Sequence, residues 1–528
     1  NAKIGVMFSK IINCASNIKN KLIRKILELI IGIDNLFSLN SILLLMAGSA
    51  VGLLFGAIPG LGGTTAVALM IPLTFGMEPF QAIILMGGIM AATSTGGSVS
   101  AILLNTPGIA PNAATTFDGY PLAKQGKAGM AIGAGATASA LGGVVGIISL
   151  VAVIPIMKEI VLLFTPPEFF MLAIFGLCAI AVSSGDRLLQ GLITAIIGLV
   201  VGFVGLYDIT GTVRYSMGIP LLEDGIKLVP ALIGLFAISE MINLAVKGGS
   251  IAEDTSSIAI SRVSDGVKQV FKNWSTMLVG SGYGTFIGAV PGVGGTVAAF
   301  LSYSTQVQRD PDPDVEYGKG NIKGVIAPES ANNAKDGGSL IPTLAFGIPG
   351  SAETAVFLGV LILHGIEPGQ KLLVENEPLV FTLVVALTVS VIFATLVVLA
   401  LAKYMAMLTM VSVNVLIPTV SVIALVGAYA LHTEIGDVVI ALIFAIIGYF
   451  MIRFNYPRVT FTIALVLGTL TELNFDQTMQ IHDGDMTVFL TRWLSVTLLI
   501  LTVLSLGFPT FRKKVRERNR RREAEASK

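Results

Sequence analysis

Charge is scarce in this chain: of 528 residues only 13% are Asp, Glu, Lys or Arg, while 54% are hydrophobic. Soluble domains carry about 25% charged residues, so a water-facing surface for a globule of this size is excluded. Histidines number three and cysteines two, and Cys14 and Cys178 show neither metal nor redox spacing. There is no His-Glu-x-x-His and no Gly-x-x-x-x-Gly-Lys-Ser/Thr, which leaves zinc proteolysis and ATP hydrolysis without support. The polar and apolar alternation of a transmembrane barrel is lacking too.

What the chain does have is apolar length. Its mean hydropathy is +0.82, and runs such as Leu188 to Leu206 and Pro378 to Ala402 approach or exceed the roughly 20 residues a helix needs to cross a bilayer. The expected fold is therefore an all-α polytopic membrane protein with about 10 to 12 transmembrane segments. A carboxyl-terminal tail, Arg512 to Arg522, holds eight basic residues and reads as a cytoplasmic anchor.

The chain is organised around Gly56-Ala-Ile-Pro-Gly-Leu-Gly-Gly-Thr-Thr-Ala66, which returns 232 residues later (288 minus 56) as Gly288-Ala-Val-Pro-Gly-Val-Gly-Gly-Thr-Val-Ala298, identical at eight of eleven positions. Proline removes a backbone donor and glycine loses the most entropy on ordering, so each copy breaks a helix. In lipid such a break is tolerated only where protein or a water-filled cavity covers it. Further interruptions are expected at Thr93-Ser-Thr-Gly-Gly-Ser98 and Leu104-Asn-Thr-Pro-Gly108. Gly337-Gly-Ser339 and Ile348-Pro-Gly350 echo them with one extra residue between the landmarks.

The division that follows is an amphipathic segment at 1–40, a membrane repeat at 41–246, a polar linker at 247–273, a second repeat at 274–510 and the basic tail at 511–528. The first segment has the pattern of an interfacial helix rather than a secretory signal. Counting basic loops inward from the tail places Arg453, Arg458, Lys403, Lys124, Lys127 and Arg187 inside, with Tyr207 to Glu223 outside. On this count the two repeats are inverted, with re-entrant hairpins and interrupted helices. Basic residues also pull both the amino-terminal segment and the linker to the cytoplasmic side, which inversion forbids, so one of those two placements must give way.

Symmetry-related breaks near mid-membrane point to a transporter binding site, where half-helix amino termini attract carboxylates and freed carbonyls coordinate cations. The expected binding side chains are Thr64, Thr65, Ser98, Asn105, Thr106, Thr296, Asn332, Asn333, Ser339 and Ser351. Gly62, Gly63, Gly108, Gly294, Gly295 and Gly350 are expected as points of close backbone approach. Glu329 and Asp336 are acids that would be costly, and so functional, if their segment lies at membrane depth, and merely solvated if it is a loop. Their spacing of seven residues would put both on one helix face, which is the alternative reading: an intramembrane enzyme acting on a lipid-soluble substrate. Asp310-Pro-Asp-Pro-Asp314 lacks calcium-loop spacing and reads as a solvated loop. His364 and Glu367 likewise read as loop residues. A passive channel suits half-helix hairpins less well than an occluded site.

The chain resembles the large membrane subunit (TctA-type permease) of the tripartite tricarboxylate transporters. The resemblance rests on the two Gly-Ala-(Ile/Val)-Pro-Gly-(Leu/Val)-Gly-Gly motifs together with Leu104-Asn-Thr-Pro-Gly108, Asp118-Gly-Tyr-Pro121, Ala327-Pro-Glu-Ser-Ala-Asn-Asn-Ala334 and Gly347-Ile-Pro-Gly-Ser351, and it covers about residues 41 to 510. It implies a non-enzymatic, multi-pass permease of the prokaryotic inner membrane. Such a permease imports carboxylates on an ion gradient, with a small membrane subunit (TctB-type) and a periplasmic binding protein (TctC-type). By analogy it implies elevator-like movement, no cofactor, and sodium or a proton as coupling ion, sodium being held by hairpin carbonyls. The long basic amino-terminal segment departs from the family's short start.

Overall fold

The computed structural model describes residues 32–183, 187–207, 210–247, 261–408 and 413–507. The amphipathic segment up to residue 31, the centre of the linker and the basic tail lie outside the described residues. Among the described residues, eight helices are long and apolar enough to cross a membrane, and five shorter apolar helices accompany them.

The first half runs α1 (Leu39–Ala57), α2 (Gly62–Thr74), α3 (Pro79–Leu104), α4 (Ala113–Leu122), α5 (Ala128–Val161), α6 (Pro166–Ser183), α7 (Leu188–Gly202) and α8 (Leu228–Lys247). A two-stranded antiparallel ribbon, β1 (Gly205–Tyr207) with β2 (Thr212–Arg214), follows α7. Part of the expected linker is instead helix α9 (Val263–Lys272), which docks on α5; a side chain at Gly133 would meet the Val263 carbonyl at 2.1 Å. The second half runs α10 (Trp274–Gly288), α11 (Gly294–Arg309), α12 (Lys323–Phe346), α13 (Ala352–Leu363), α14 (Glu377–Leu408), α15 (Val413–His432), α16 (Ile435–Arg453), α17 (Arg458–Ile481) and α18 (Trp493–Gly507).

The duplication is written in backbone contacts. Gly48, Gly52 and Gly56 of α1 recur every four residues, so they share one helix face. A Cβ on them would come within 2.3, 2.4 and 2.2 Å of the carbonyls of Leu85, Ile89 and Thr93. In the second half Gly280, Gly284 and Gly288 of α10 meet the carbonyls of Ala327, Ala331 and Lys335 at 2.5, 2.2 and 2.6 Å. The glycines are displaced by 232 residues (280 minus 48) and their partners by 242 (327 minus 85). Small residues at four-residue spacing let membrane helices pack backbone to backbone.

The two halves also exchange elements reciprocally. Helix α5 lies along α12, and its counterpart α14 lies along α3. Likewise α13 packs on α2 of the other half while α4 packs on α11. In the same way α8 packs on α16 and α7 on α17.

Two expectations are corrected here. Thr93 to Ser98 does not interrupt a helix: α3 runs unbroken from Pro79 to Leu104 with that whole stretch buried. Its glycines serve close packing, since a Cβ at Gly96 would meet the Leu53 carbonyl at 2.4 Å. Gly337 to Ser339 is likewise interior to α12. The extra residue between landmarks also disappears. Gly338 touches the Thr285 carbonyl as Gly96 touches that of Leu53, so these glycines are 242 apart (338 minus 96), and Thr93 is matched by Lys335. The chain turns only after each long helix, where Asn105 (φ 56°) and Gly347 (φ 68°), again 242 apart (347 minus 105), form left-handed caps.

Candidate functional site

Each Pro-Gly-x-Gly-Gly motif ends one helix and starts another. Gly60 and Gly62 take φ of 90° and 66°, and Gly292 and Gly294 take 74° and 71°, a conformation that a Cβ disfavours. Helices α2 and α11 then begin with no side-chain cap on their first N–H groups. Behind each motif packs the turn that follows the long helix. A Cβ at Gly108 would clash with the Gly56 carbonyl at 1.8 Å, one at Gly350 would meet the Gly288 carbonyl at 2.7 Å, and Gly292 N–H donates to the Gly350 carbonyl at 3.2 Å.

Charge sits where the motifs face each other. At Gly63, the second residue of α2, a Cβ would lie 2.6 Å from Oε1 of Glu353 and 3.1 Å from Cγ2 of Thr93. At Gly295, the second residue of α11, it would lie 2.9 Å from Cε of Lys335. Thr93 and Lys335 are thus the same position of the repeat, and the second copy carries a cation. Lys335 Nζ pairs with Asp336 at 2.7 Å and with Glu353, and all three side chains are less than a tenth exposed. An ammonium so buried is tolerated because two acids pair it; removing one partner of a buried pair costs about 3–5 kcal/mol.

A second polar cluster lies almost two turns earlier on α12. Glu329 is 0% exposed. It accepts hydrogen bonds from Asn112 Nδ2 at 2.8 Å, Thr115 Oγ1 at 2.5 Å and Ser139 Oγ at 3.1 Å. Between the clusters, Ser94 Oγ of α3 reaches Asn332 Oδ1 of α12 at 3.5 Å. On the same helices buried polar atoms find no protein partner: Thr95 Oγ1 on α3, Thr137 Oγ1 on α5, and Asn332 Nδ2 and both amide atoms of Asn333 on α12. Unpaired buried polar groups are rare and ask for water, an ion or a ligand.

Of the residues expected from sequence, Gly62, Gly63, Gly294, Gly295, Gly108 and Gly350 form the motif cradles described above. Thr64 and Thr296 are half-buried in the first turns of α2 and α11, whereas Thr65 Oγ1 donates to the Phe236 carbonyl at 3.4 Å. Ser98 and Ser339 donate back into their own helices, to the Thr95 and Asp336 carbonyls at 2.8 and 3.1 Å. Ser351 caps α13, accepting from Thr354 N–H at 3.3 Å. Asn105 and Thr106 are exposed at the turn.

Glu329 and Asp336 share a helix but not a partner set: Glu329 bonds to α4 and α5, Asp336 to Lys335. Lys335, Glu353, Asn112, Thr115 and Ser139 were missed in the sequence. The signal for the first two was available, since ionisable residues inside apolar helices are costly and functional.

The Asp118-Gly-Tyr-Pro motif is an anchor for the loop before α12. Asp118 accepts from the backbone N–H groups of Gly318, Gly320 and Asn321 at 2.8, 2.9 and 2.8 Å and from Tyr303 at 2.9 Å. Asp310 pairs with Lys323 at 2.8 Å, and among the described residues no three His, Cys, Asp or Glu side chains group to hold a metal ion.

A family model described as Tripartite tricarboxylate transporter TctA family matches residues 42–463. In Agrobacterium vitis an uncharacterized 52.8 kDa protein in the TAR-I ttuC' 3' region is 31% identical over 483 residues, 89% of this chain and 93% of that protein. Another uncharacterized protein of the same organism, in the TAR-II ttuC' 3' region, is 32% identical over 234 residues, 44% of this chain and 96% of its own length. No solved structure matches.

Proposed function

Because this chain belongs to the tripartite tricarboxylate transporter TctA family, we propose that it is the permease of a secondary active importer of carboxylates, of tricarboxylate type or related organic acids. The observation that carries this reading is the placement of Lys335 and Glu353. The ammonium lies at the first turn of one half-helix and the carboxylate at the first turn of the other. A helix amino terminus favours negative charge, so Glu353 occupies an environment suited to a carboxylate, and a substrate carboxylate would compete for the same ammonium.

The unpaired hydroxyls and amides of Thr95, Thr137, Asn332 and Asn333, carried on α3, α5 and α12, suit the remaining oxygens of an organic acid or a coupling ion. Reciprocal packing of the halves, taken with the charge count of the loops, favours inverted repeats that enclose a midplane site. In this reading the permease lies in a prokaryotic inner membrane, receives substrate from a TctC-type binding protein, works with a TctB-type small subunit, and moves the site by an elevator-like step driven by an ion gradient. Uptake of labelled carboxylates into proteoliposomes, with both partner proteins added, tests it. Gradient-dependent uptake that Lys335→Met abolishes is expected; uptake indifferent to every ion gradient and to Lys335 replacement would sink it.

A further inference from the structure

Glu329 differs from the buried acids of the bundle that pair with a cation. Asp336 and Glu353 share Lys335, Glu168 pairs with Arg492 at 2.5 Å, Glu240 with Arg458 at 3.0 Å, and Asp437 with Lys227 at 3.2 Å. Glu329 is equally enclosed, yet the groups it bonds, Asn112, Thr115 and Ser139, are all neutral. From α3, Ser94 and Ser98 face the same space: Asn112 Nδ2 donates to the Ser94 carbonyl at 3.4 Å, and a Cβ at Gly135 would lie 3.7 Å from both Glu329 Cγ and Ser98 Oγ. From α11 come Ser302, bonded to the Ala327 carbonyl, and Tyr303, bonded to Asp118 one turn beyond Thr115. Asp118 is held by loop amides. On α12 itself the next ionisable groups are Lys335 and Asp336, which are paired.

An ionised carboxylate without a cation is expensive inside a membrane protein, while the neutral acid is not. The hydrogen-bond network accommodates both forms. With Glu329 ionised, Ser139 Oγ–H donates to Oε2 across 3.1 Å. With Glu329 protonated, Oε2–H donates to Ser139 Oγ, whose own proton turns to the Glu329 backbone carbonyl at 3.5 Å. Asn112 and Thr115 donate to Oε1 in either state. A group enclosed by neutral partners and satisfied with or without its proton is suited to carrying that proton through a transport cycle.

We propose that Glu329 is the carrier of the coupling proton, so that the ion that drives uptake is H⁺. The role rests on the transport reading above. In the outward-facing state an O–H bond forms at Oε2 with a proton taken from outer water, neutralising the carboxylate. In the inward-facing state that bond breaks, the proton passes to cytoplasmic water, and the ionised carboxylate is regenerated. No electron changes hands.

The test uses the intact permease with its two partner proteins in proteoliposomes, a labelled tricarboxylate at a pH where it is fully ionised, and simultaneous recording of external pH. Wild type is expected to remove one proton from the medium per substrate imported. Glu329→Gln is expected to import at least tenfold less, with the residual uptake unaccompanied by protons. Thr115→Val removes a donor that binds the ionised form more strongly, so the pH of half-maximal uptake should rise by about one unit. This second variant keeps the proposal testable if Glu329→Gln does not fold. Wild-type uptake without proton entry, driven for instance by sodium, overturns this role and leaves the transport reading standing. Proton entry that persists in Glu329→Gln, or an unmoved midpoint in Thr115→Val, overturns it as well. Wild-type vesicles that import no carboxylate under any gradient overturn both readings.

Discussion

The ammonium of Lys335, packed on Gly295 of the second motif, is paired with the carboxylate of Glu353, packed on Gly63 of the first. Two helix breaks more than two hundred residues apart in sequence (295 minus 63) are thereby joined by one buried ion pair. Both groups come from the second half, so the join depends on α13 crossing to pack on α2. It also breaks the symmetry of the repeat, since the first half has Thr93 where the second has Lys335.

The pair should show in stability as well as in transport. Glu353→Met leaves the buried Lys335 with Asp336 alone, and a loss of about 3–5 kcal/mol is expected. Lys335→Met with Glu353→Met in the same chain should lose less than the two single changes summed. Thermal unfolding of the purified protein in detergent measures this. Additive losses would show that the pair is not a unit.

The glycine stripe makes a sharper contrast. Gly284→Ala places a Cβ about 2.2 Å from the Ala331 carbonyl and should cost about 1–3 kcal/mol through overpacking. Gly282, two residues away on α10, has nothing within 4 Å of a built Cβ, so Gly282→Ala should be neutral or stabilising by up to about 1 kcal/mol through helix propensity. A melting comparison of the two variants decides it, and equal effects would count against the observed packing face.

Asn105 separates a cap from a ligand. Its φ of 56° and its match to Gly347 make it a helix terminator. Asn105→Gly is therefore expected to leave uptake and melting nearly unchanged, while the β-branched Asn105→Val should lower the melting temperature through left-handed strain. Loss of uptake in Asn105→Gly without loss of stability would instead assign the amide to substrate.

At the ribbon beside α7, Tyr207 donates to Asp476 at 2.7 Å, and this hydrogen bond pushes the phenol up to about 12. A phenol whose folded-state pKa is raised contributes stability below its ordinary value near 10, and that contribution is lost as pH rises through the folded value. Ultraviolet titration should find one fewer late-ionising tyrosine in Asp476→Asn than in wild type. A spectrum unchanged by that substitution would remove the bond.

Much of this architecture was open to the bare sequence, because it follows from local backbone chemistry. Pro-Gly-x-Gly-Gly breaks a helix wherever it stands, and two copies in apolar surroundings announce both the duplication and a protected site. The four-residue spacing of the glycines at 48, 52, 56 and 280, 284, 288 also lies in the sequence, but its meaning as a packing face came only with the structure. Thr93 to Ser98 was misread because glycine, serine and threonine runs signal turns in water. Inside a bundle the same residues allow close approach instead, and only the neighbouring α1 decides between these outcomes.

Composition and spacing by themselves determined a helical membrane protein built twice, with its breaks at the Pro-Gly motifs, since those consequences need only the chain and its solvent. The tertiary structure alone decided which residues meet in the middle. The repeat register of 242 between Thr93 and Lys335 comes from backbone contacts. The pairing of Lys335 with Glu353 and the enclosure of Glu329 by Asn112, Thr115 and Ser139 depend on helices exchanged between the halves. Contacts between distant segments are set by packing, and no local pattern carries them.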